Sequence, residues 1–228
     1  MKSWFRKALF IAGISLVPLP AFAGSSDWIG RVNYAGYSMR SHCTGALIAP
    51  NLVLTAAHCL VSGRTEKPFK PKNVIFRAGY HLGKSKADAQ GAHFIFLKGY
   101  LEAQSDAEKV KRDAAIIVLQ DEINLDAGKI STIDATHGSL EFQGYSISKP
   151  HVLTGSEDCS RKSSHSKLFL VSCTAAFGQS GSPVLSGKNK EIVGMIVGVN
   201  DSNQAIILSL TELRHLETDL FNIGALQQ

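Results

Sequence analysis

Short apolar runs, each closed by turn residues, recur from Trp28 to Ser209, and this rhythm limits the possible folds more than any other feature of the chain. Trp28 to Tyr34 and Thr44 to Ile48 read as strands, and Leu52 to Thr55 follows a Pro50-Asn51 turn. Val74 to Ala78, His93 to Leu97, Ala115 to Leu119, Val152 to Thr154 and Leu168 to Ser172 continue the pattern. Val184-Leu185, Ile192 to Val199 and Ala205 to Ser209 close it. Many short strands separated by turns predict an all-β fold, either sandwich or barrel, and periodicity alone does not choose between them. Two segments depart from the pattern. Glu102 to Arg112 is polar and reads as a loop carrying a helical turn. Thr211 to Phe221 places Leu213, Leu216 and Leu220 at helical spacing, which predicts a C-terminal helix.

The first 23 residues read as an export signal rather than as part of the fold. Lys2, Arg6 and Lys7 precede an apolar run from Ala8 to Leu19, and Ala21-Phe22-Ala23 is a small-residue cleavage site. The run is short for a membrane span. The expected mature chain, Gly24 to Gln228, is secreted or periplasmic and leaves the membrane once the signal is cut. It carries 21 basic residues against 19 acidic ones, so the basic character of the whole chain belongs partly to the signal. No Arg/Lys stripe interleaves with aromatics, so nucleic-acid binding is not supported. Four cysteines remain, Cys43, Cys59, Cys159 and Cys173, an even number suited to an oxidising compartment. Four cysteines allow three pairings. Their spacing lacks the short ligand pairs that zinc sites use.

The chemistry concentrates in two stretches. Leu54-Thr55-Ala56-Ala57-His58-Cys59 puts an imidazole beside a cysteine at the end of an apolar run. Gly178-Gln179-Ser180-Gly181-Ser182-Pro183 puts a hydroxyl in a tight turn between glycines. A serine hydroxyl becomes a useful nucleophile when a positioned base takes its proton, and histidine suits that task at neutral pH. The glycines leave backbone N–H groups open to an incoming oxygen.

These stretches resemble those of chymotrypsin-fold, trypsin-like serine proteases. Thr55 to Cys59 matches the family's histidine motif in full. Gly178 to Pro183 resembles its Gly-Asp-Ser-Gly-Gly-Pro motif with two changes. Arg112-Asp113-Ala114-Ala115-Ile116-Ile117-Val118-Leu119 resembles its Asp-Ile-Ala-Leu-Leu segment. The likeness runs from about Trp28 to about Ser209 and keeps the order His, Asp, Ser. It implies two antiparallel six-stranded β-barrels with the site between them and a C-terminal helix. The N-terminal barrel, residues 24–125, would carry His58 and Asp113. The C-terminal barrel, residues 126–228, would carry Ser180, with the boundary near Asp121 to Ile133. His58 is then the general base and acid, Asp113 its orienting carboxylate and Ser180 the nucleophile, with Asp106 and Asp121 as fallback acids. The N–H groups of Gly178 and Ser180 would form the oxyanion hole. Ser182 is a nearby decoy. The resemblance also implies the disulfide Cys43–Cys59 and, with it, Cys159–Cys173.

Ile29-Gly30-Arg31-Val32, Cys43-Thr44-Gly45 and Gly181-Ser182-Pro183 resemble the secreted glutamyl-endopeptidase-like branch more than digestive trypsin. Gln179 stands where the animal enzymes have an aspartate that binds a newly cut N-terminus, and neutral Gln179 cannot form that ion pair. The implied pocket has Thr174 at its floor and Val197, Gly198 and Val199 as its wall. No carboxylate stands there to receive Arg or Lys, and no histidine lies on the strand Ile192 to Val199 to receive glutamate. The expected preference is a small or medium uncharged residue on the acyl side of the cut bond.

The expected activity is therefore that of a secreted serine endopeptidase working through an acyl-enzyme, acting on polypeptides as a monomer. A catalytically silent binding protein on the same scaffold is the alternative, kept alive by Gln179 and the valines of the pocket strand. An α/β-hydrolase esterase is disfavoured, because its triad runs Ser, acid, His. No nucleotide-binding glycine motif appears. Lys72 to Gln90 holds one acidic residue, Asp88, too few for a calcium loop. No cofactor or metal is expected.

Overall fold

A computed structural model describes residues 26–34, 41–131, 138–165, 167–186 and 189–209. Six strands come first: β1 (Ile29–Tyr34), β2 (His42–Ala49), β3 (Leu52–Thr55), β4 (Val74–Ala78), β5 (Ala87–Phe96) and β6 (Ala115–Leu119). They close into an antiparallel barrel in the order β1-β2-β3-β6-β5-β4. Closure leaves no strand with an unpaired edge. The side-chain alternation of a pleated strand is plain in β4, where Val74, Phe76 and Ala78 are buried and Ile75 and Arg77 lie between inside and outside. Val32, Leu54, Phe76 and Ile117 meet in the barrel's core.

Seven strands follow: β7 (Leu140–Gly144), β8 (Thr154–Cys159), β9 (Arg161–His165), β10 (Leu168–Thr174), β11 (Pro183–Ser186), β12 (Glu191–Val199) and β13 (Gln204–Ser209). They form one half-barrel sheet in the order β8-β7-β11-β12-β13-β10-β9, over a second core that includes Phe142, Phe169, Ile196 and Ile207. This corrects the expected second six-stranded barrel. The strand is interrupted at Ser160, after Asp158 takes a left-handed conformation (φ 55°), and the two pieces become the opposite edges of the sheet. Backbone and side-chain bonds between Ser160 and Ser172, at 2.8 and 2.9 Å, hold the break beside β10. Cys159–Cys173 fastens the same place.

The strand from Val152 to Thr154 is also corrected: Thr154 opens β8, and Val152 lies in a turn. The polar segment before Asp113 does carry a short helix, α1 (Asp106–Val110), whose cap Ser105 accepts a hydrogen bond from the Glu108 N–H at 3.3 Å. The helix expected over Thr211 to Phe221 lies outside the described residues. No helix among the described residues is long and apolar enough to cross a membrane.

Candidate active site

Strand register brings the first two site residues together. Thr55 at the end of β3 stands opposite Ala115 at the start of β6. His58, three residues beyond Thr55, and Asp113, two residues before Ala115, therefore leave the barrel at the same end. His58 sits in a 3₁₀ turn, Ala57–Leu60, whose Ala57, Cys59 and Leu60 are buried. Cys59 is bonded to Cys43 on β2, so the base of the turn is stapled to the barrel wall. Removing either cysteine would return a loop-closure cost of about 3 kcal/mol to folding.

Asp113 is 4% exposed and uses both carboxylate oxygens on His58. Oδ1 accepts the His58 backbone N–H at 2.8 Å, and Oδ2 lies 2.6 Å from Nδ1. A carboxylate can only accept, so Nδ1 carries the proton and Nε2 of the neutral ring is left as the acceptor. The His58 side chain is 42% exposed, open enough to exchange protons with a substrate. Its partial desolvation lowers the imidazole pKa, and that is the largest single influence. The hydrogen bond to Asp113 and the charge of Asp113 together outweigh it, so the pKa sits above the ordinary 6.5. Asp106 and Asp121, the fallback acids, are exposed.

Ser180 occupies the turn before β11, between Gly178 (φ 93°) and Gly181 (φ 84°). Both glycines are required. A Cβ on Gly181 would lie 2.1 Å from the Thr44 carbonyl oxygen, and one on Gly178 would lie 2.5 Å from that of Tyr145. The turn is docked on the histidine segment: Thr44 N–H donates to Ser180 O at 2.9 Å, and Cys59 Sγ lies 4.0 Å from that oxygen. Neither the Gly178 nor the Ser180 N–H donates to another described residue, which leaves two neighbouring donors for an anionic oxygen. Ser180 is half-buried, whereas Ser182 is sealed in the interior with its hydroxyl unpartnered. Ser182→Ala is therefore expected to leave activity within a few-fold and to raise stability by about 1 kcal/mol, read by denaturant unfolding.

Sequence reasoning did not reveal what Gln179 does. Its buried amide accepts the Ala176 N–H at Oε1 (2.9 Å) and donates from Nε2 to Thr154 O (3.3 Å). A neutral side chain that both donates and accepts can serve two backbone groups of its own chain, so its departure from aspartate has a structural use. Thr44 and Tyr145 were likewise not singled out as individual site residues. A threonine in a strand and an aromatic after one have ordinary packing roles, and nothing in the sequence marks these two as hydrogen-bonding partners.

The four residues expected to form the pocket lie on the seven-stranded sheet, whose strand β11 follows Ser180. Thr174, exposed, ends β10 opposite Gln204, while Gly198 and Val199 on β12 pair with Ile206 and Ala205 on β13. Val197 is 5% exposed and belongs to the core side of the strand. Cys43, His58 and Cys59 have donor atoms within 4.8 Å of one another, but the two sulfurs are joined, so the group offers a single ligand nitrogen.

The family model described as Trypsin matches residues 19–211. The chain belongs to the trypsin family. As a member it is a serine endopeptidase of the chymotrypsin fold, with polypeptides as substrates. Solved structures agree on the fold. A Glu endopeptidase in complex with MPD is 20% identical with a TM-score of 0.70, covering 86% of this chain and 91% of that one. The thermostable serine protease AL20 from an extremophilic microorganism is 17% identical with a TM-score of 0.68, over 83% of this chain and 94% of its own. The Vibrio cholerae VesB protease is 17% identical with a TM-score of 0.69, over 88% and 66%. No curated protein matches the sequence. The two disulfides of this trypsin-family chain, Cys43–Cys59 and Cys159–Cys173, are the pairs implied by the resemblance, and such bonds persist in oxidising compartments.

Proposed function

We propose that the chain is an exported endopeptidase in which His58, Asp113 and Ser180 form the catalytic triad. The observation that carries this reading is the pair of hydrogen bonds that His58 donates to Asp113, which leaves Nε2 as a proton acceptor. His58 and Asp113 come from the segment 24–125 and Ser180 from 126–228. In acylation His58 Nε2 takes the Ser180 hydroxyl proton as Oγ bonds to the substrate carbonyl carbon. The carbonyl π electrons move to oxygen, which is received by the N–H groups of Gly178 and Ser180. The intermediate collapses, the amide C–N bond breaks, and the amine leaves with the proton from His58. Water then repeats the sequence on the acyl-enzyme and restores Ser180.

Thr174, Gly198 and Val199 would receive a small or medium uncharged side chain, while buried Val197, expected as part of the wall, belongs to the core. The segment before Gly24 acts as an export signal, and Gln179 is already engaged with its own chain, so the chain from Gly24 to Gln228 is expected to be active without further cutting. Mass spectrometry of the cuts made in a complex peptide library tests activity and preference together. Cuts after uncharged residues support this pocket, while a strict preference for Arg, Lys or Glu would overturn it.

Activity is expected to rise with pH through one ionisation above 6.5, because His58 must lose a proton before it can accept one from Ser180. The same raised pKa has a stability consequence. The His58⁺–Asp113 interaction is fully present below the unfolded histidine pKa and is lost as pH rises through the folded value. A kcat/KM profile over pH 5–9 with its midpoint below about 6 would contradict the Asp113 effect.

A further inference from the structure

The Gly178–Ser180 turn leaves two N–H groups without an acceptor among the described residues, yet glycine at 178 gives it little stiffness of its own. Its orientation is set from behind, through three consecutive peptide planes. Phe177 O accepts from Ile147 N–H at 2.7 Å, Gly178 O accepts from Thr44 Oγ1 at 3.0 Å, and Gln179 O accepts from Ser182 N–H at 3.0 Å. In a planar trans peptide the N–H points away from the C=O. Holding Phe177 O and Gln179 O inward therefore turns the Gly178 and Ser180 N–H groups outward. The middle plane is held at both ends, by the Thr44 hydroxyl at the Gly178 carbonyl and by the Ala176 carbonyl, which accepts the Gln179 N–H at 3.1 Å.

The Thr44 side chain is also connected to the neighbouring supports. Thr44 Oγ1 accepts the Tyr145 N–H at 2.9 Å while donating to Gly178 O, so its one proton and a lone pair are both used. Tyr145 lies two residues before Ile147, the donor to Phe177 O. The Thr44 backbone N–H donates to Ser180 O at 2.9 Å, and its carbonyl accepts Thr55 Oγ1 at 2.8 Å. Thr44 is fully buried, so no water competes for these bonds.

We infer that Thr44 is a positioning residue whose hydroxyl sets the direction of the oxyanion-binding turn. The inference rests on the proposed triad and the two N–H donors. It predicts a defect in the transition state rather than in substrate binding, because Thr44 lies behind the turn and touches no substrate.

The test compares Thr44→Val, which keeps the shape and removes the hydroxyl, with Thr44→Ser, which keeps the hydroxyl. Turnover of a peptide amide is measured beside affinity for a peptide boronic acid, whose tetrahedral adduct uses the same N–H groups. Thr44→Val is expected to lose about 10–100-fold in kcat with KM within about threefold, and boronate affinity is expected to fall in step. Thr44→Ser is expected to stay within about threefold of wild type. Wild-type kcat in Thr44→Val, an equal loss in Thr44→Ser, or a loss confined to KM would overturn the inference. If Thr44→Val does not fold, Thr44→Ala against Thr44→Ser decides it, and equal kcat in that pair is the contrary result. A wild-type chain that cleaves no peptide would instead remove the proposed function, before any Thr44 variant is measured.

Discussion

Ser180→Ala is expected to remove turnover, lowering kcat on the order of 10⁶-fold, while the protein remains folded. The size of the loss follows from the chemistry. Without Oγ no acyl-enzyme can form, and the remaining rate comes from substrate binding and the two N–H donors. The fold is spared because Ser180 is half-buried in a turn, and its backbone carbonyl still accepts the Thr44 N–H. Gly178 and Gly181, which allow the turn, are untouched. Kinetics on a peptide substrate and thermal unfolding read the two halves of the expectation. Turnover within tenfold of wild type would remove Ser180 from its proposed role.

Asp113→Asn carries the second-largest effect, a fall in kcat of about 10⁴-fold with the fold retained. The amide can keep one bond with its oxygen, but its NH₂ donates and cannot accept a hydrogen bond. If the oxygen stays on the His58 backbone N–H, the NH₂ faces Nδ1 and forces the proton onto Nε2, the atom that must accept from Ser180. Loss of the negative charge also removes the influence that raises the His58 pKa, so the residual activity is expected to titrate at lower pH. Unchanged activity would return attention to Asp106 and Asp121, although both lie exposed.

The sequence was most readable where strands are apolar on at least one face. Val74–Ala78 and Ala115–Leu119 appear at the bounds expected of them, because their burial alternation or continuous apolar run is unmistakable. It was least readable at the edges of the second sheet. Thr154–Cys159 and Arg161–His165 are polar and mostly exposed, so their pairing is carried by backbone bonds that leave no hydrophobic signature. Leu140–Gly144 was missed for a different reason, since only Leu140 and Phe142 supply an apolar rhythm there. Within the site, His58, Asp113 and Ser180 stood out because motif and chemistry agreed. The residues behind them did not. Thr44, Tyr145 and Gln179 make hydrogen bonds within a tight turn or between segments 25 to 134 residues apart, and such contacts exist only once the chain is folded.

Gln179 also shows how a departure from a family motif can be misread from sequence. The missing carboxylate suggests a lost function, yet the folded amide holds Ala176 and Thr154 at once. Gln179→Glu would place a buried charge opposite the Thr154 carbonyl oxygen, which can only accept, so the turn is expected to tolerate it poorly.

The most direct measurement of the central claim is covalent labelling of the chain from Gly24 to Gln228 with a serine-directed phosphonate, followed by mass spectrometry of the labelled peptide. The triad reading predicts one adduct per chain, on Ser180, formed faster as His58 loses its proton and absent from Ser180→Ala. An adduct on Ser182, or efficient peptide cleavage by a chain that takes no adduct at Ser180, would contradict it.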